Sequence, residues 1–207
     1  VFPCWWPEQR HDGQWRCACG NDACKSPAKH PIGSLVPGGQ NNATTDEATI
    51  RAWWARYPKA NIAIALAASG LCAVDVDPRN GGLETVDLLE AKYGSLQSNT
   101  MQFTGGGGWH ALFQLPKGAF SLPGRLGAGV DCKVNGYIMA DPSLHVSGKR
   151  YSWEASSDPR DGVVPSPLPD WIRSMATAPC IEASAASGSR YLGPAVAEEL
   201  RDALSHI

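Results

Sequence analysis

The sequence predicts a mixed α+β fold, because short apolar strands recur in pairs and two amphipathic helices lie between them. A length of 207 residues with 43% hydrophobic content is sufficient for one sizeable domain with its own core. The charge is nearly balanced, with 18 Lys and Arg against 20 Asp and Glu, so any polyanion site must be local. No apolar stretch approaches the length of a membrane span, and we expect a soluble, cytoplasmic protein.

The first elements follow from turn and capping residues. Residues 1–4 are typical of the end of a strand, and the chain opens without Met, which indicates a trimmed fragment. Residues 10–40 are polar and without periodicity, so we expect a loop that needs an external staple. Thr44 and Glu47 form a capping box, which predicts a helix that ends before Pro58.

The remaining elements alternate between strands and helices. The runs 61–66 and 71–77 predict a hairpin around the Ser69-Gly70 turn, and a helix follows from Leu83 to a stop at Gly94. Further segments have the patterns of strands at 101–104 and 109–113 joined by a glycine run, of a strand pair at 129–133 and 136–140, of a strand at 151–154, and of helices at 171–176 and 193–207.

Two carboxylates end one apolar strand. Asp75 and Asp77 point to the same face, because side chains alternate along a strand, and their Cα atoms lie about 6.6 Å apart. Like charges at a buried strand end need a cation between them, and a hard divalent ion suits oxygen ligands. That pattern favours phosphoryl or nucleotidyl chemistry. The alternative is a turn, since 77–82 is rich in turn formers that Asp77 could cap.

Four of the seven cysteines fall in the first two dozen residues. Cys17, Cys19, Cys24 and His30 offer three thiolates and an imidazole, which suit tetrahedral Zn²⁺. Such a site would order the loop at 11–31, because binding free energy becomes folding free energy. Cys4 and His11 are the alternatives to His30, and a reduced cluster without metal is the alternative to a zinc site.

The carboxylates are joined by further polar motifs in a fixed order. Val74-Asp75-Val76-Asp77, Thr104 to His110, Gly129-Val130-Asp131, Gly136-Tyr137 and the segment from Pro142 to Tyr151 follow one another along the chain. The ordered combination resembles the bifunctional primase-polymerases of phages and plasmids, in the archaeo-eukaryotic primase superfamily. The resemblance covers roughly residues 1–172, and it implies an αβ unit packed on a sheet like that of RNA-recognition domains.

The resemblance also implies roles for individual residues. Asp75, Asp77 and Asp131 would bridge two Mg²⁺ or Mn²⁺ ions, and His110 would hold the incoming triphosphate. Lys133 lies two residues after Asp131 on the same strand face, where an ammonium could meet the phosphates. The other residues expected to border the nucleotide are Ser143, His145, Lys149 and Arg150. Arg79 could steer template or triphosphate, and the alternative is an arginine that only belongs to the turn.

On this basis residues 1–172 are expected to be a catalytic domain, and 173–207 a linker that starts a helical accessory domain. The expected activity is template-directed DNA priming and polymerisation. The partners would be single-stranded DNA template and primer, NTP or dNTP, and a fused or associated helicase. Lys25 and Lys29 in the zinc loop could contact the template or help to start primers. The alternatives are an Asp-x-Asp phosphohydrolase, a nucleotide-sugar transferase and a non-catalytic nucleic-acid-binding module.

Overall fold

Two main β-sheets organise the computed structural model, which describes residues 1–117 and 121–176. Within these residues the strands are β1 (Phe2–Cys4), β2 (Pro7–Gln9), β3 (Trp15–Cys17), β4 (Asn61–Ala65), β5 (Leu71–Val76), β6 (Thr100–Phe103), β7 (Trp109–Gln114), β8 (Arg125–Gly127), β9 (Val130–Lys133), β10 (Tyr137–Ala140), β11 (Ser152–Trp153) and β12 (Ser166–Pro167). The α-helices are α1 (Glu47–Arg56), α2 (Gly82–Tyr93) and α3 (Asp170–Ser174). The predicted mixed α+β class is confirmed.

The larger sheet has the order β11-β6-β7-β5-β9-β8, and β12 adds a short parallel pairing to β7. Its central strand β5 is antiparallel to both neighbours, β7 and β9. Along β5 the side chains of Cys72, Val74 and Val76 face one hydrophobic core, and Leu71 and Ala73 face another. Asp75 follows Leu71 and Ala73 in this alternation, so the carboxylate emerges where the second face leaves the core.

The two faces of the larger sheet have different coverings. One face packs against α2 and α3 through Val86 and Ile172. The other face packs against α1 and the small sheet β1-β4-β10, through buried residues that include Ile50, Trp54, Ile62, Ile64 and Ile138. The small sheet covers only part of that face, and the carboxyl end of β5 stays open beside it.

Both predicted strand pairs around the carboxylates were wrong in the same way. β4 pairs with β1 and β10, whereas β5 pairs with β7 and β9, so 61–66 and 71–77 belong to different sheets. β9 and β10 are separated likewise. The chain therefore crosses between the two sheets after β4 and again after β9.

The N-terminal region contains more structure than the sequence indicates. Residues 10–40 were expected to be a loop, yet β2 and β3 form a hairpin within 7–17. The capping box was also wrong, because Asp46 caps α1 by accepting the Thr49 N–H at 2.8 Å. Thr44 instead accepts the Asp46 N–H at 3.0 Å. The predicted helix at 193–207 lies outside the described residues.

Candidate active site

A single row of side chains crosses five strands of the larger sheet. Strand register places Gln102 of β6 opposite His110 of β7, and His110 opposite Asp75 of β5. Asp75 lies opposite Asp131 of β9, and Asp131 opposite Arg125 of β8. Directly opposed residues of antiparallel strands point to the same face, so the five side chains form one polar line. Three of the residues singled out from the sequence, His110, Asp75 and Asp131, are neighbours in it.

Asp75 is the best-buried carboxylate of the row and has two nitrogen partners. Its Oδ1 lies 3.4 Å from Nε2 of His110, and its Oδ2 accepts a hydrogen bond from Nζ of Lys133. Burial alone would raise the pKa of Asp75. The ring N–H of His110 and the ammonium of Lys133 outweigh that cost and hold the pKa of Asp75 well below its usual range. Asp75 is therefore ionised at any pH at which the protein works.

A buried amide lies behind His110. Nε2 of Gln102 is 2.8 Å from Nδ1 of His110, and it also donates to the carbonyl of Met139 at 2.7 Å. Oε1 of Gln102 accepts the N–H of Asp141 at 3.2 Å. Gln102 is fully buried and His110 is 5% exposed, so this network is shielded from water. It ties the row on the larger sheet to β10 of the small sheet.

The other two aspartates are held by arginines. Asp77 accepts two hydrogen bonds from the Arg79 side chain, at 2.9 and 3.0 Å, and it caps the following turn through the Arg79 N–H. The Arg79 contacts lower the pKa of Asp77. Asp131 pairs with Arg125 at 3.2 Å. The turn interpretation of Asp77 thus describes its present contacts, and each of the three aspartates has a basic partner.

The row opens into a cleft of about 420 Å³, lined by residues that include Asp75, Asp77, Asp131, His110, His145, Tyr151, Arg79, Arg125 and Lys29. Sequence reasoning missed Arg125, since the segment before β9 has no clear pattern. It placed Lys29 in the zinc loop and did not predict that this lysine also lines the cleft. Lys29 is exposed, but its ammonium loses part of its contact with water, which lowers its pKa. The charges of Lys133 and Arg79 lower the pKa of Lys29 further, and the charge of Asp75 opposes this shift.

A second histidine faces the same cleft. Nδ1 of His145 accepts the N–H of Ser147 at 3.1 Å, and its ring lies 6.1 Å from that of Tyr151 in an edge-on contact. Burial, together with the charges of Lys29 and Arg79, lowers the pKa of His145 to about 4. His145 is therefore neutral at physiological pH.

The remaining predicted nucleotide contacts lie elsewhere. The Ser143 hydroxyl accepts the N–H of Ile62 at 2.8 Å and donates to its carbonyl at 3.2 Å. Ser143 and Arg150 line a separate cavity, of about 590 Å³. Lys149 is exposed, and it is not among the described residues that line the cleft. These contacts favour a role for Ser143 in holding its loop on β4.

The glycine run serves the packing of the protein against itself. A Cβ atom on Gly108 would collide with the carbonyl oxygen of Val76, and one on Gly105 would collide with the side chain of His145. Of the four glycines, only Gly107 has a positive φ, +90°. The run was expected to allow close approach to a ligand. Its outer two members let the β6–β7 turn lie directly against β5 and against the His145 loop, and Gly106 and Gly108 also line the cleft, so close approach to a ligand stays a prediction.

The four predicted zinc ligands come together. The ligand atoms of Cys17, Cys19, Cys24 and His30 all lie within 4.8 Å of one another. Tetrahedral zinc with sulfur at about 2.3 Å needs separations of about 3.8 Å, so small rotations are sufficient. Among the described residues this is the only group with such convergence, and neither Cys4 nor His11 belongs to it. The cluster is compatible with a structural zinc site.

Within the described part of the chain, no helix is long and apolar enough to cross a membrane.

The chain was compared with protein families, curated proteins and solved structures, and one family matches it. No curated protein and no solved structure matches the chain. The family model for the N-terminal domain of bifunctional DNA primase/polymerase matches residues 1–171. That match spans most of the chain and includes the whole polar row, so the protein belongs to the bifunctional DNA primase/polymerase family.

Proposed function

We propose that this chain is a template-directed DNA primase and DNA polymerase domain of a phage- or plasmid-type replication protein. It would transfer a nucleotide from NTP or dNTP to a 3′-hydroxyl. The observation that carries this proposal is the row of His110, Asp75 and Asp131 across three adjacent strands. In this row His110, which we propose binds the triphosphate, lies beside carboxylates that could hold metal ions, and nucleotidyl transfer requires both groups.

The donor set of the cleft fits hard divalent cations. Asp75, Asp77 and Asp131 offer carboxylate oxygens, the ligands that Mg²⁺ and Mn²⁺ take in proteins. With these residues as ligands, a pair of such ions would activate the attacking oxygen and neutralise the leaving pyrophosphate. Both oxygens of Asp77 now accept hydrogen bonds from Arg79, so Asp77 would have to turn away from this arginine, whereas Asp131 pairs with Arg125 through Oδ1 alone.

The basic residues of the cleft are then free to bind the nucleotide. His110 and Lys133 both donate to Asp75 and lie closest to its carboxylate. Arg79, Arg125 and Lys29 stand around the same opening. A triphosphate carries several negative charges, so the lysines and arginines would bind it through charge-assisted hydrogen bonds, and the ring N–H of His110 would donate beside them. His145 lines the same cleft, and its ring is neutral at physiological pH.

The cysteine cluster has a separate proposed role. Zinc bound there would order the loop that follows β3, and Lys29 lies directly before the ligand His30. Tyr137 of the small sheet donates to the Lys29 carbonyl at 2.9 Å, which anchors the loop on the fold. We propose that the ordered loop helps to start primers on the template.

The finer features of the family resemblance are part of the same proposal. They include the archaeo-eukaryotic primase fold, a catalytic domain over 1–172 followed by a linker and accessory helices, and a fused or associated helicase. The antiparallel neighbours of β5 argue against the haloacid dehalogenase type of phosphohydrolase, which needs a parallel sheet.

Primer extension tests the proposed activity. Purified protein is incubated with primed single-stranded DNA, deoxynucleotides and Mn²⁺ or Mg²⁺, beside the double variant Asp75→Ala, Asp77→Ala. We expect metal-dependent extension by the wild type and none by the variant. Normal DNA binding by the wild type without any extension would instead support a non-catalytic binding module and remove the catalytic assignments.

A further inference from the structure

Gln102 has hydrogen bonds that fix which end of its amide is which. The carbonyl of Met139 can only accept, and the N–H of Asp141 can only donate. The atom that faces Met139 must therefore be the NH₂ group, and the atom that faces Asp141 must be the oxygen. The same NH₂ group lies 2.8 Å from Nδ1 of His110. The carbonyl of Met139 and the N–H of Asp141 thus determine that Gln102 presents its NH₂ group to His110.

The Gln102 amide donates toward His110, so the ring nitrogen that faces it must accept. Because the Gln102 amide presents N–H to Nδ1, that ring nitrogen carries a lone pair, and the proton of a neutral imidazole sits on Nε2. Nε2 is the atom that points at Asp75, 3.4 Å from Oδ1, so this carboxylate favours the same tautomer from the other side of the ring. His110 is therefore a hydrogen-bond donor toward the cleft.

We infer that Gln102 is a positioning residue, which holds His110 as the Nε2–H tautomer so that the ring can donate to an anionic oxygen of the incoming nucleoside triphosphate. The inference rests on the proposed function for its substrate. The opposite tautomer would present a lone pair to the triphosphate and repel it. Burial strengthens the effect, since Gln102 has no exposed surface and water cannot replace the amide.

His145 provides an internal reference for this inference. Its Nδ1 accepts the backbone N–H of Ser147 at 3.1 Å and also lies 3.0 Å from the Ser147 hydroxyl, which donates to the Gly105 carbonyl, and we expect its proton on Nε2 because the backbone donor cannot be reversed. A backbone donor is unchanged by any substitution at position 102. The two histidines should have the same tautomer in the wild type, and only that of His110 should depend on Gln102.

The test combines nitrogen NMR with nucleotide kinetics on the whole chain. In wild type, ¹⁵N spectra of the histidine rings should show Nδ1 of His110 and of His145 unprotonated. Gln102→Glu places a carboxylate oxygen against Nδ1, so this nitrogen of His110 should become protonated, while that of His145 stays as it was. Gln102→Met removes the donor without adding charge, and the KM for dNTP should rise about tenfold with a smaller change in kcat.

Thr100→Val is the matched control, since Thr100 is also fully buried on β6 and its hydroxyl has no hydrogen-bond partner among the described residues. It should leave the KM and both tautomers unchanged. The inference is overturned by a wild-type His110 with protonated Nδ1, or by Gln102→Met with the KM of the wild type. The NMR result needs no turnover, so a protein without polymerase activity would remove the proposed function and still leave the tautomer decided.

Discussion

The carboxylate cleft and the cysteine cluster are assembled by different means. In the cleft, strand register on five paired strands places Gln102, His110, Asp75, Asp131 and Arg125 side by side. In the cluster, only Cys17 lies on a strand, and the other three ligands come from turns. The first site is a consequence of the fold and exists before any ion binds. The second lies on a loop that hydrogen bonds from Tyr137 and Trp5 attach to the fold and that a bound ion would order further.

The largest expected effect comes from the centre of the row. Asp75→Asn keeps the shape of the side chain but removes the charge that a cation requires, so primer extension should fall at least about 100-fold. Zinc content should remain that of the wild type. Steady-state extension on a primed template and metal analysis measure the two properties.

Asp87→Asn is the control for this change, because Asp87 is exposed on α2 and loses the same charge. It should retain full activity. If Asp75→Asn extends primers within about twofold of wild type, Asp75 is not a metal ligand. The carboxylate cleft could then no longer be compared with the cysteine cluster as a second metal site.

The next effect should separate the two sites. Replacing Cys19 and Cys24 with Ser removes two ligands of the cluster, so bound zinc should be lost. Priming on an unprimed template should then fall about tenfold or more, with extension of an existing primer reduced only a few-fold, since the strand-borne row does not need the loop. Ser26→Ala, in the same loop but outside the ligand set, is the control. An equal loss of priming and extension would contradict a separate role for the loop.

Lys29 connects the two sites and gives an intermediate effect. It precedes the zinc ligand His30, and its side chain lines the cleft. Lys29→Ala should raise the KM for nucleotides about fivefold to tenfold, because one charge-assisted contact to phosphate is lost. Lys25→Ala, an exposed lysine of the same loop, should leave that KM unchanged. If both variants have the same KM, the zinc loop does not contribute to the nucleotide pocket.

The smallest effect is a pH dependence of stability. The folded pKa of His145 is about 4, below its ordinary value of 6.5, so the unfolded chain takes up a proton first as the pH falls. Stability from this group is present above pH 6.5 and is lost toward pH 4, by about 1 kcal/mol between pH 7 and pH 5 after allowance for solvent. Denaturant unfolding of wild type and His145→Asn at both pH values measures it.

The wild type should lose more stability than His145→Asn over that interval. His11→Asn, which changes an exposed histidine of the β2–β3 connection, should keep the wild-type slope. Identical slopes for wild type and His145→Asn would mean that His145 is as easily protonated in the fold as in the unfolded chain.

The sequence patterns predicted local features better than long-range ones. Alternation along β5 placed Asp75 on the polar face, because period two is a property of any strand. No pattern showed that Asp75 pairs with Asp131, which is far away in the sequence. In both strand pairs predicted next to the carboxylates, the two strands belong to different sheets. Register between distant strands is decided by packing and turn geometry, which short motifs do not contain.

The site residues that the sequence missed illustrate the same limit. Arg125 lies on a three-residue strand with no apolar alternation, and its meaning comes only from its partner Asp131. Gln102 stands within a predicted strand, yet its importance depends on Met139 of the other sheet and on Asp141 in the turn after it. The cysteine cluster was easier, since its ligands lie close together in the sequence and their chemistry alone indicates zinc.

Ala63 pairs with Phe2 on one side and with Met139 on the other, so the small sheet joins segments that are far apart along the chain. Proteins are made from the amino terminus onward, at a finite number of residues per second. His30 precedes Asp131 by 101 positions in the sequence. A growing chain therefore exposes all four residues of the cysteine cluster well before the ribosome has added the last carboxylate of the row, and a metal ion bound by this cluster would be captured before the larger sheet is complete.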